Sequence, residues 1–366
     1  MTSSMAVAVT AWSAGQGWRA QALSQQAETA EAMGFHSFWL PENHFGDHRS
    51  IPSPLTLLAA AAAHTKQIKL GTTSYLLPIR HPLQAAEEVA VLDQLSNGRV
   101  ILGVGRGIQG AVFEAFEVAP EQKRKLFQTN LDIMRTAWSG EPILQGKDGK
   151  PILLAPLPIQ RPHPPIWVAA FGPLALKQAA GLGFPYLASP IETLAVLEKN
   201  YLGYRQALEQ AGQPAPPEIP VMRTLFVAKN ARETSEVRAR LEKSVPATMK
   251  DKSVAIEDWA IVGDRHYVRD TLSEYIERLG ITHLIARGGL PGLDSGAQVK
   301  SLEKLIAEKR YKIFSVYDHG DERFVKQVIA FGSTSHNARI MWHDPAAGLE
   351  LPLKIAVFQD DVGTQV

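Results

Sequence analysis

Short continuous apolar runs alternate along most of the chain with stretches in which apolar residues recur every three to four positions. The first pattern predicts buried strands and the second amphipathic helices. Strand-like runs fall at Met5–Val9, Phe35–Leu40, Ile68–Thr72, Val100–Val104, Ile166–Ala170, Tyr186–Ser189, Ile219–Ala228 and Thr282–Ala286. Helical spacing occupies Trp18–Met33, Pro52–Ala63, Pro82–Leu95, Pro120–Trp138, Leu174–Leu182, Thr193–Gln210 and Val299–Lys309, with further helices inside Ala231–Lys243 and Tyr267–Leu279. Several of these helices are predicted to open on proline, which is tolerated there because the first-turn N–H has no intrahelical partner. Asn97-Gly98 supplies a stop.

Eight strand–helix repeats in about 310 residues fit a (β/α)8 barrel with insertions, or a doubly wound sheet. Periodicity does not separate the two. Gly140–Pro165 breaks the rhythm with a cluster of prolines and short apolar pieces, and predicts a hairpin-like excursion. Beyond residue 310 the pattern changes, with strand-like Val328–Phe331 and Leu353–Phe358. The expected organisation is a barrel over 1–310 and a small appended C-terminal α/β element over 311–366.

Composition narrows the classes of function. Lys and Arg (38) balance Asp and Glu (37), which argues against a nucleic-acid groove or a polybasic membrane patch. With no cysteine, disulfides and thiolate metal sites are excluded. No apolar run reaches the length of a membrane span and no basic-then-apolar leader is seen, so a cytoplasmic location is expected.

Three loops carry candidate chemistry. Gly105-Arg106-Gly107-Ile108-Gln109-Gly110 matches a dinucleotide fingerprint in spacing, but Pro120 interrupts any helix it would open and no acidic residue ends a following strand. It reads instead as a loop at the functional end of a strand, where Arg106 serves either as an anion ligand or as a rim ion pair. Pro41 to His48 gathers two histidines, two carboxylates and an amide. His44 and His48 have the spacing of a metal pair, but Gly46 opposes a helix and a third ligand is missing, so no metal is expected. An acid/base role and a structural hydrogen bond both remain open there. Phe171-Gly172-Pro173 either presents N–H groups to a phosphate or is an ordinary turn into a helix. Trp12, Phe45, Tyr75, Phe113, Phe116 and Trp167 lie near strand ends, as pocket lining or as core.

These segments together resemble the bacterial luciferase-like flavin monooxygenases. The resemblance is carried by Phe38-Trp39-Leu40-Pro41-Glu42-Asn43-His44-Phe45, by Leu77 to Pro82 with Glu87, by Leu92 to Arg99, by Gly103 to Gly107, by Pro165 to Gly172 and by Ile261 to Asp264. It implies a (β/α)8 TIM barrel, a reduced flavin (FMN) delivered by a separate flavin reductase and used with oxygen, and a homodimer. A sister branch uses the deazaflavin F420 for hydride transfer. By position, Thr73-Ser74 matches a non-prolyl cis peptide beside the flavin ring, Arg106 the flavin-phosphate arginine, and Phe171 and Gly172 the backbone that holds that phosphate. Asn43 stands where the aldehyde-oxidising members carry a catalytic histidine. His44 matches an interface histidine paired with a helix glutamate, here Glu87.

The expectation is a monooxygenase acting on a small, partly apolar organic substrate, with Asn43 orienting substrate or peroxide and His44 supporting the site or the interface. An F420-dependent dehydrogenase and a flavin-binding barrel without turnover are the alternatives. Ile329–Gly332 and Ala346–Lys354 resemble a small bacterial domain family of unknown function.

Overall fold

The structure is a computed structural model. It describes residues 5–12, 20–46, 50–244, 255–290 and 292–310, and four strands between 312 and 365. The chain divides into two compact units, Met1–Leu302 and Glu303–Val366.

The first unit runs β1 (Ala6–Thr10), α1 (Ala20–Met33), β2 (Ser37–Leu40), α2 (Pro54–His64), β3 (Lys69–Thr72), β4 (Tyr75–Leu76), α3 (Pro82–Leu95) and β5 (Val100–Gly105). It continues through α4 (Gly110–Ala115), α5 (Lys123–Ser139), β6 (Leu144–Gln145), β7 (Pro151–Ile152), β8 (Ile166–Ala169), α6 (Pro173–Gly181) and β9 (Tyr186–Leu187). The last part comprises α7 (Leu194–Gln210), β10 (Pro220–Val227), α8 (Ala231–Lys243), β11 (Ala260–Gly263), α9 (Arg265–Leu279) and β12 (His283–Arg287), and α10 (Ser295–Arg310) spans the division after Leu302.

Parallel pairing proceeds β10-β12-β1-β2-β3-β5-β8-β9, and a parallel bridge between Ala188 and Val221 joins the two ends. The result is a (β/α)8 barrel, and the doubly wound alternative is set aside. All eight barrel strands coincide with the apolar runs of the sequence. A strand buried on both faces needs no polar alternation, which is why continuous runs marked them. The barrel interior holds one residue from each of seven strands: Ala8, Trp39, Ile101, Trp167, Leu187, Met222 and Ile285. Trp39 and Trp167 stack with centroids 5.0 Å apart. Gly71, the β3 partner of Trp39, is required there, because a Cβ would stand 2.3 Å from the indole ring.

Local chemistry accounts for the helix boundaries. α5 ends at Gly140 and α9 at Gly280, both left-handed, the usual stop for a helix. Asp264 caps α9 by accepting from the Tyr267 N–H. The second helix starts at Pro54, not Pro52, with Ser53 as its flanking residue. Its far end is held by Arg99, whose guanidinium donates to the carbonyls of Ala62, Thr65 and Ile68. The predicted excursion is the antiparallel β6–β7 hairpin. β11 was not foreseen. It pairs with Thr224–Val227 at the upper part of the long β10, whose lower part pairs with β12.

The second unit contains the antiparallel strands β13 (Lys312–Asp318), β14 (Lys326–Gly332), β15 (Leu353–Asp360) and β16 (Gly363–Gln365), paired in that order. The two strand-like runs of the tail lie within β14 and β15. Residues 346–352 of the motif read there are outside the described residues.

Candidate active site

The loops at the C-terminal ends of the barrel strands carry nearly every residue singled out in the sequence. After β3 the chain passes through a cis peptide between Thr73 and Ser74, where the resemblance placed one. The Thr73 N–H donates to the Leu40 carbonyl, and the Thr72 hydroxyl donates to the Gly103 carbonyl. Two glycines of β5 make this approach feasible. A Cβ on Gly103 would stand 1.9 Å from the Thr72 carbonyl oxygen, and one on Gly105 would stand 2.0 Å from the Ser74 hydroxyl. The glycine-rich segment therefore packs against the strand-three loop. It opens only the six-residue α4, too short a helix to complete a dinucleotide fold.

Arg106 follows directly on β5. Its guanidinium donates to the Ala169 carbonyl at the end of β8 (3.1 Å) and to Gln178 Oε1 on α6 (3.2 Å). Both acceptors are neutral, and no carboxylate pairs with it among the described residues. Burial, with repulsion from Arg124, lowers its pKa to about 10, which leaves it charged at neutral pH. Phe171 and Gly172 follow Ala169 by two and three residues, so Arg106 abuts the β8–α6 connection. Phe171 is exposed, and Gly172 takes φ +82 with nothing within 4 Å of where a Cβ would sit. Thr73, Ser74, Arg106, Phe171 and Gly172 thus lie along one continuous stretch of the rim.

Asn43 and His44 lie on the neighbouring loop after β2. The Asn43 side-chain oxygen accepts from the Ile51 N–H (2.7 Å), and its own N–H donates to the Ile51 carbonyl. That oxygen is therefore committed to the loop, and the amide N–H₂ is the part left for a ligand. His44 is buried, and its Nε2 donates to Glu42 Oε1 at 2.7 Å. Within the chain its partner is Glu42, while Glu87 is exposed on α3. His48 lies outside the described residues.

Glu42 and Arg80 lie inside motifs that carry the resemblance, but sequence reasoning gave neither a role and did not pair them. The Glu42 side chain is fully buried, with Arg80 at 2.7 Å, His44 at 2.7 Å and the Leu76 N–H at 2.9 Å. Arg80 also donates to the Leu76 carbonyl and lies 3.9 Å from the centroid of the Tyr75 ring, whose hydroxyl donates to Glu88. Burial raises the Tyr75 phenol well above its ordinary range, so it stays a neutral donor. This network ties the loop after β2 to the segment after β3. Of the six aromatics, Trp12, Tyr75, Phe113 and Trp167 are buried core, while Phe45 and Phe116 are exposed and pack 5.9 Å apart beside His44.

Residues 3–283 match the family model described as luciferase-like monooxygenase, and residues 293–366 match a domain of unknown function, DUF302. The oxygenase component of the flavin-dependent trigonelline monooxygenase of Acinetobacter baylyi is 28% identical over 217 residues, covering 58% of this chain and 60% of that protein. The solved structure of monooxygenase RslO1 from Streptomyces bottropensis superposes with a TM-score of 0.70 at 27% identity, covering 83% of this chain and 98% of that one. The coenzyme F420-dependent tetrahydromethanopterin reductase of Methanopyrus kandleri shares the fold, with a TM-score of 0.63 at 19% identity, covering 83% and 98% of the two chains. The model matched over residues 3–283 and the closed barrel agree: this chain belongs to the luciferase-like monooxygenase family.

Proposed function

We propose that the protein is a flavin-dependent monooxygenase that takes reduced FMN from a separate reductase and oxidises a small, partly apolar organic substrate with oxygen, working as a homodimer. The observation that carries this reading is the Arg106 guanidinium, held at the rim among the described residues by neutral acceptors, beside the open Phe171-Gly172 turn. A flavin phosphate fits that donor set. Arg106 would meet it as a charged fork, and the backbone at Phe171 and Gly172 would face it without steric hindrance. Thr73 and Ser74 would lie under the ring, where Gly103 and Gly105 leave the space. Bound there, reduced flavin supplies the oxygen chemistry, and the protein supplies orientation and exclusion of water.

The chain's own groups divide the remaining work. The Asn43 N–H₂ donates a hydrogen bond to substrate, since an amide cannot act as a base near neutral pH. His44, buried against Glu42, positions that loop. Exposed Phe45, Ile108 and Phe116 give the rim an apolar character, which supports a partly apolar substrate. The flavin-dependent relative and its designation as an oxygenase component support both cofactor and reductase.

The test compares binding of FMN, riboflavin and F420 to the wild-type protein and to Arg106→Met. FMN is expected to bind at least tenfold more tightly than riboflavin, and Arg106→Met to abolish the difference. Equal affinity for FMN and riboflavin in the wild type would sink the phosphate assignment. Preferred binding of reduced F420 without oxygen consumption would select the dehydrogenase.

A further inference from the structure

Arg287 is the last residue of β12 and has no hydrogen-bonding, ionic or aromatic partner among the described residues. It is half-buried, and burial alone lowers its pKa. Even partial withdrawal of a guanidinium from water without a counter-charge carries a desolvation cost, so its setting calls for a reason.

Strand alternation fixes where it points. Met222 on β10 and Ile285 on β12 belong to the cluster filling the barrel interior. Side chains repeat on one face every second residue, so Thr224 and Arg287 also face inward, one layer nearer the C-terminal mouth. The two are in register across β10 and β12. Thr224 is 1% exposed, and its hydroxyl is buried with no hydrogen-bond partner. The backbone beside Arg287 is pinned, because the Gly288 N–H donates to the Thr10 hydroxyl (3.0 Å) and a Gly288 Cβ would strike the Thr10 carbonyl. In the ring of eight strands β12 lies opposite β5, so the end of β12 that carries Arg287 and the loop that carries Arg106 lie on opposite sides of the barrel.

We propose that Arg287, with the Thr224 hydroxyl, anchors a carboxylate-type anionic group of the organic substrate. This rests on the barrel mouth being the site where substrate meets flavin. A carboxylate uses both oxygens on the planar fork of arginine and has a lone pair left for the hydroxyl of threonine. The phosphate of the cofactor would occupy the opposite rim at Arg106, so the two arginines divide two anions between them. A substrate with an acidic end and an apolar body would point the acid at β12 and its body toward the ring.

The probes are three acid and amide pairs: butanoate and butanamide, octanoate and octanamide, benzoate and benzamide. Binding to the FMN-loaded protein and to the cofactor-free protein is measured by calorimetry for the wild type, Arg287→Met, Arg287→Lys and Thr224→Val. At least one acid is expected to bind about tenfold or more tightly than its amide, the scale of a hydrogen bond to a charged group. Arg287→Met should erase that preference, Arg287→Lys should keep part of it, and Thr224→Val should reduce it without erasing it. FMN affinity should be unchanged in Arg287→Met. The proposal is overturned if no acid is preferred over its amide in the wild type, or if the preference survives in Arg287→Met. It is equally overturned if Arg287→Met weakens FMN by as much as it weakens the acid, because Arg287 would then serve the cofactor. Failure of FMN to bind the wild type would remove the flavin reading, and the cofactor-free titration would still judge Arg287.

Discussion

Glu42 offers the sharpest test of the rim architecture. Its carboxylate is fully buried and receives Arg80, His44 and the Leu76 N–H within 2.9 Å. In Glu42→Gln the amide keeps the shape but presents one acceptor and one donor. Whichever way it turns, either Leu76 or the Arg80–His44 pair faces an N–H₂ group. The Arg80 charge, with its side chain only 18% exposed, then lacks its counter-ion. Removing one partner of a buried pair costs about 3–5 kcal/mol, and we expect roughly 3 kcal/mol because the remaining amide oxygen still accepts. At a urea m-value of about 3 kcal/mol/M this lowers the unfolding midpoint by about 1 M. Arg80→Met should cost a comparable amount, since it strands the carboxylate. The double variant should lose at least about 1 kcal/mol less than the sum, because no charge is left unpaired. The assay is urea unfolding followed by circular dichroism on all four proteins. A Glu42→Gln midpoint within about 0.3 M of the wild type, or additive losses, would refute the network as a coupled unit.

Further outcomes follow from neighbouring features. Gly103→Ala should destabilise by at least about 1–3 kcal/mol, because its Cβ meets the Thr72 backbone carbonyl and not a movable side chain; an unchanged urea midpoint would contradict the close packing. Arg99→Lys should lose about 1–3 kcal/mol, since a single ammonium cannot replace a fork that reaches the carbonyls of Ala62, Thr65 and Ile68 together; thermal melts decide this. Glu31 lies where burial opposes ionisation, yet the N–H groups of Lys66, Gln67 and Ile68 together with Arg99 outweigh it and lower its pKa. Its contribution is therefore full above its ordinary value near 4.5 and lost as pH falls through the lowered folded value. Glu31→Gln should remove that part of the acid limb of the stability profile, and an unaltered limb would count against it.

Much of the fold was legible because its signals are local. Ile219–Ala228 was recognisable as a strand since both faces of β10 are covered and the run is apolar throughout. β11 is no shorter than β2, β3 or β8 and is apolar throughout, so it was missed because the count of eight strand–helix repeats was already complete without it, not because its local signal is weaker. The left-handed ends of α5 and α9 are written in Gly140 and Gly280. The rim could be read by motif, so that Thr73-Ser74, Arg106 and Phe171-Gly172 were placed by position in the chain. Which groups satisfy one another could not be. Glu42 and Arg80 are 38 positions apart, and nothing in either neighbourhood names the other.

The sequence by itself determined the alternation of strands and helices, the family, and the loops that carry chemistry, because periodicity, turn residues and motif order act over a few positions. Periodicity left closure of the sheet open and the family resemblance implied it; the tertiary structure shows how it is made, through a bridge between Ala188 and Val221 that no local pattern specifies. It decided too that Asn43 spends its oxygen on Ile51, that His44 turns to Glu42, and that Arg287 faces the mouth without a partner among the described residues. Pairing and desolvation are properties of the space between distant segments, and that space exists only once the barrel has formed.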